Sequence, residues 1–173
     1  YDYRTLNWTE RERELKPRLL GQGDYYTWSF GSEGPCQEIT LVTFLVEAAG
    51  IPQGEPVGEV ELKVGGETRR IPLRPGLGTA DFALERPESR PGRQHTPPLE
   101  RACHSWRVSD DSSRYFTAMA YALRLPLPPG TRSGTITLRA TLKEGKLGLL
   151  RFDIRERARP PDPQRPRWLA ERW

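Results

Sequence analysis

Cys103 and His104 stand side by side in the stretch ERACHSWRVSDDSSRYF, in a chain that has two cysteines and two histidines in all. A thiol beside an imidazole is the raw material of a nucleophilic pair, but the ring must face the sulfur and a third group must orient it. Neighbouring residues on a strand point to opposite faces, which turns His104 away from Cys103 and argues against that pairing. Cys36 and Cys103 read instead as the two ends of a disulfide, the usual fate of two cysteines in an all-β, exported domain.

Metal chemistry fares no better. His95, Cys103, His104 and Met119 are the ligand types of a copper site with two His, one Cys and a weak axial Met, yet His104 abuts Cys103 and Met119 falls within an apolar strand, so the spacing does not converge. Asp110 and Asp111 sit in SDDSS, which lacks the alternating oxygen ligands and the glycine turn of a calcium loop and reads as a solvated turn. The sequence holds no glycine-rich phosphate loop, nucleophile elbow, HExxH or CxxC. Its glutamates alternate with Arg or apolar residues, and no pair stands out as acid and base. The expectation is a non-catalytic protein with no metal and no cofactor.

The elements that would carry these residues are strands. Leu, Ile, Val and Phe number 36 of 173 residues, near the lower edge of what buries enough apolar area to fold, so a thin core is expected. Tyr26, Trp28 and Phe30 alternate with Thr27 and Ser29, the period of a strand with one buried face. This row is expected in the core, and would be a ligand face only if uncovered. Gln37 to Glu47 is nearly all apolar or β-branched, as in a central strand covered on both sides. In VGEVELKVGGETRRIPL a Gly65-Gly66 turn sets Val60 opposite Ile71 and Glu61 opposite Arg70. Ile136, Leu138, Ala140 and Leu142 alternate with Thr135, Thr137, Arg139 and Thr141, and Glu144-Gly145 suggests a second hairpin. That alternation slips after Leu149, which predicts a bulge. A short strand is expected over Thr79 to Leu84, and two more over Cys103 to Val108 and Tyr115 to Leu125.

Seven or eight strands with little helix predict an all-β, antiparallel sandwich of immunoglobulin-like or jelly-roll-like type. An N-terminal arm over 1–20 would hold a short helix opened by Thr9 and Glu12 and closed by Pro17. The sandwich would fill 21–157, and 158–173 would form a Pro- and Arg-rich arm. The basic side is 23 Arg against four Lys, with a single Asn and 17 Pro, a bias that suits a thermophile. The chain starts at Tyr1, consistent with a removed signal peptide, and no apolar run is long enough for a transmembrane helix.

These features narrow the function to recognition. Net charge is +4 and the pI about 9.3, but acidic residues are mixed among the arginines, as in TERERE and LAERW, whereas a nucleic-acid binder segregates its charge. Trp8, Arg159, Arg165, Arg167, Trp168, Arg172 and Trp173 supply the residue types that dominate protein interfaces. The expected role is an extracellular or envelope subunit that contacts protein partners, itself or others, in a pilus, surface layer or membrane-associated complex. The alternatives are a carbohydrate- or ligand-binding module and an arginine-mediated nucleic-acid binder.

Overall fold

The computed structural model describes residues 17–98, 104–109 and 115–156. Nine strands occur among them: β1 Arg18–Leu20, β2 Tyr25–Gly31, β3 Cys36–Val46, β4 Gly58–Val64, β5 Glu67–Leu73, β6 His104–Ser109, β7 Tyr115–Pro126, β8 Ser133–Ala140 and β9 Lys146–Glu156. They form two antiparallel sheets, ordered β1-β9-β3-β7-β6 and β2-β8-β4-β5, so the fold is an antiparallel β-sandwich. β1 pairs with β9, which brings residues 18–20 of the expected N-terminal arm into the sandwich. The helix expected at Thr9 to Lys16, Trp8, and the arm bearing Arg159, Arg165, Arg167, Trp168, Arg172 and Trp173 lie outside the described residues.

The inner faces meet as the alternation requires. Val60 and Leu62 of β4, Ile136, Leu138 and Ala140 of β8, and Ile39, Leu41 and Leu45 of β3 join one buried cluster. Fully burying each of the larger aliphatic side chains contributes about 1.5–3 kcal/mol. Tyr26 and Trp28 pack against that cluster and Phe30 belongs to it. Phe152 meets Trp28 edge-on at 5.0 Å between centroids, and the Arg18 guanidinium lies 3.9 Å over the Tyr26 ring. The aromatic row therefore lies between the sheets.

β3 carries two cores. Its inner residues face the other sheet, while Val42, Phe44 and Val46 join Phe82, Ala83, Ala118, Ala120 and Leu150 in a second cluster. Residues 80–83 cover that side, which is how a chain short of apolar residues buries an eleven-residue strand on both faces. Gly148 stands opposite Phe44, and the ring lies so close that a Cβ there would come within 2.5–2.7 Å of it. Glycine makes room for the ring.

The β4–β5 hairpin has the expected register, with Val60 opposite Ile71 and Glu61 opposite Arg70. Gly65 and Gly66 both have positive φ, 57° and 84°, as a type I′ turn demands. The Arg70 guanidinium lies 3.1 Å from the Glu61 carboxylate, and hydrogen bonds from Lys63 and Arg70 hold that carboxyl below the usual carboxylate range. The expected bulge in β9 is also present. Val42 pairs with Arg151 and Thr43 with Leu149, leaving Leu150 as the extra residue. Leu147 and Leu149 face the inner core, and after the bulge Phe152 and Ile154 do so, while Leu150 turns to the second cluster.

Three expectations are corrected. β8 and β9 do not form a hairpin: β8 pairs with β2 and β4, β9 with β1 and β3, and residues 141–145 cross from one sheet to the other. Both strands turn apolar rows inward, but from facing sheets. Thr79 to Leu84 is not a strand and holds only single bridges, Leu45 to Asp81 and Pro75 to Thr79. The Cys36–Cys103 disulfide is not formed. Cys36 is a buried free thiol; Cys103 lies outside the described residues.

Candidate functional site

β3 ends against a loop, residues 47–57, that has little regular structure and is nevertheless tightly held. Glu47 takes a left-handed backbone, φ 55°, a conformation that a non-glycine residue keeps only where its surroundings impose it. One of the groups imposing it is Asp81. Its Oδ2 accepts the Ala48 N–H at 2.7 Å and its Oδ1 the Ala83 N–H at 2.8 Å. Burial pushes the Asp81 carboxyl above the usual carboxylate range, opposed by those two amides and by His95, and reinforced by Glu47.

His95 is the second strut. The Asp81 N–H donates to Nε2 at 3.1 Å, so Nε2 carries no proton, and Nδ1 must be the N–H that donates to the Ile51 carbonyl at 2.8 Å. The side chain is 3% exposed and both ring nitrogens are committed to backbone. Further bonds fasten the loop: Gln94 N–H to Ala49 carbonyl at 2.9 Å, Gln53 N–H to Gln94 carbonyl at 2.9 Å, Thr96 N–H to Gln53 Oε1 at 2.9 Å, and Arg74 Nη1 to the Gly54 carbonyl at 2.5 Å. A buried carboxylate and a buried imidazole have thus been spent on fixing a loop, because unpaired buried amides there would cost about 1–3 kcal/mol each.

The loop so fixed forms one wall of a cleft. Residues 141–144 form the other, tied back by Thr141 and Leu142 N–H groups on the Val57 carbonyl at 3.0 and 3.2 Å. The cleft has a volume of about 530 Å³. Ala48, Val57 and Leu142 are its buried floor. Glu47, Glu55, Lys143 and Glu144 are exposed at its rim, with Pro52 and Pro56 beside them. Glu55 and Glu144 against Lys143 leave the rim with an excess of carboxylate. Its chemistry is that of a seat for an apolar segment carrying positive charge.

The residues singled out in the sequence are not gathered here. His95 holds the cleft wall, Met119 packs beside Ala80, Leu84 and Tyr121, and His104 lies on β6; Cys103, Asp110 and Asp111 are outside the described residues. No group of three or more His, Cys, Asp or Glu side chains among the described residues is placed to hold a metal ion. Sequence reasoning missed Asp81, Glu47 and the 47–57 loop. Asp81 sits in the apolar run TADFAL, where a lone carboxylate signals a buried amide-binding role.

No protein-family model matches the chain, and no curated protein matches it. Among solved structures it is similar to a family GH115 4-O-methyl-α-glucuronidase with specificity for decorated arabinogalactans, at 17% identity and a TM-score of 0.38. The similarity covers 82% of this chain and 14% of that one. At that level it bears on neither activity nor substrate.

Proposed function

We propose that this chain is a non-catalytic β-sandwich subunit that works through protein–protein contacts in an extracytoplasmic surface or envelope assembly. The observation that carries the reading is the use made of the buried ionisable groups. Asp81 and His95, the side chains best placed to do chemistry, have their polar atoms committed to backbone amides and a carbonyl. What they hold in place is an open cleft with an apolar floor and a charged rim, a shape suited to seating a segment of another chain.

Two further features support contact with protein over other ligands. Tyr26, Trp28 and Phe30 are packed between the sheets, so they offer no flat aromatic platform to a sugar. The outward residues of β4 and β5 form mixed-sign pairs, Lys63 with Glu61 and Arg70 with Glu59 and Glu61, rather than a positive track for phosphates. No helix among the described residues is long and apolar enough to cross a membrane.

The test is the mass and shape of the native particle, released from the envelope fraction without denaturant and measured by light scattering and negative-stain microscopy. A particle several times the chain mass of 19.8 kDa is expected. A monomer in the soluble fraction would refute the reading.

A further inference from the structure

From the two ends of the sandwich we infer that the acidic cleft seats the arginine- and proline-rich segment 157–173 of a second copy of the chain, giving a head-to-tail assembly. The inference rests on the protein-contact reading above and names its partner. β9 starts at Lys146 beside the cleft and ends at Glu156, which reaches the opposite end of the sandwich, where Cys36 begins β3. Segment 157–173 therefore leaves the body at the end away from the cleft.

Charge matches the two. The segment has Arg157, Arg159, Arg165, Arg167 and Arg172 against Asp162 and Glu171, a net side-chain charge of +3. The cleft rim offers Glu55 and Glu144 against Lys143. Apolar matter is also available on both sides, in Trp168, Leu169 and Trp173 of the segment and in the floor of Ala48, Val57 and Leu142.

Distance decides which copy supplies the segment. The ten steps from Lys146 to Glu156 cover about 33 Å. Proline-rich chain advances about 3.1 Å per residue, so returning to the cleft of its own sandwich would use roughly eleven residues. Those would be 157–167, the stretch that contains four of the five arginines. The next six residues, Trp168 to Trp173, carry Glu171 and Arg172 and so have no net side-chain charge. A neighbour's cleft, placed beyond the end of β9, can receive the cationic part directly. Because donor and acceptor lie at opposite ends, the contact is heterologous and continues from copy to copy unless the rotation closes a ring.

The experiment uses two full-length variants in sedimentation velocity at low and high salt. One reverses the cleft rim, Glu55→Arg with Glu144→Arg, both exposed side chains; the other reverses the segment, Arg159→Glu, Arg165→Glu and Arg167→Glu. The unaltered chain should grow in mass with concentration above 19.8 kDa and dissociate as salt rises. Each variant alone should associate about tenfold more weakly or worse. An equal mixture should regain the mass, since each then meets the opposite charge on the other. Association of either variant at the unaltered strength, or a mixture that stays monomeric, would overturn the inference. So would an unaltered chain that is monomeric at every concentration; a large native particle would then still leave the broader protein-contact reading standing.

Discussion

Asp81 shows how much of this molecule turns on single buried polar groups. Replacing it by Asn removes one of two acceptors and leaves an amide of Ala48 or Ala83 without its partner, so the Asp81→Asn chain should lose about 1–3 kcal/mol. The loss should depend on pH with a definite sign. Burial raises the folded-state pKa of Asp81 above 3.8, so its contribution is fully present below the unfolded value and is lost as pH rises through the folded one. The stability gap between the natural chain and Asp81→Asn should therefore narrow as pH is raised from about 3.8. Urea unfolding at a series of pH values measures it, and a gap that widens would contradict the assignment. Cys36 gives a second check at this scale. A free thiol only 2% exposed should resist alkylation in the native protein and react once the chain unfolds, with no reductant added. Neither residue's role was legible from sequence, because adjacency along the chain says which residue types are near but not which backbone amides will need an acceptor.

At the scale of elements, what was legible was what is local. The Gly65-Gly66 turn and the alternation around it determine a register within a few residues, and β4 and β5 follow it. Gly66→Ala should cost about 1–2 kcal/mol, since φ 84° is a conformation that a Cβ penalises. The slip of pattern at Leu149 likewise marked the bulge. The β8–β9 connection was misread because alternation reports which face is apolar and not which sheet a strand joins. Two inward rows joined by a glycine turn look alike whether the strands pair side by side or face each other across a core. Segment 79–84 was misread for a related reason: its apolar residues cover the outer face of β3 as a lid, and a lid has no period. Gly148→Ala tests that crowded double-faced packing. The new methyl must displace the Phe44 ring, and thermal or chemical unfolding should register a loss of about 1–3 kcal/mol.

For the whole molecule, the sandwich was foreseeable from strand count and turn spacing, while the cleft was not. It is built from residues 47–57 and 141–144, with Asp81 and His95 behind it, and only the fold brings those stretches together. The functional account depends on that assembled end. Its most direct test is site-specific photo-crosslinking in the native setting, with the probe placed at Lys143 on the cleft rim and, as a control, at Arg139, exposed on the outer face of β8. The account predicts protein adducts from position 143 and few from position 139, with the adduct from 143 joining two copies of the chain through segment 157–173. Equal adducts from both positions, or none from 143 in a particle larger than the monomer, would contradict it.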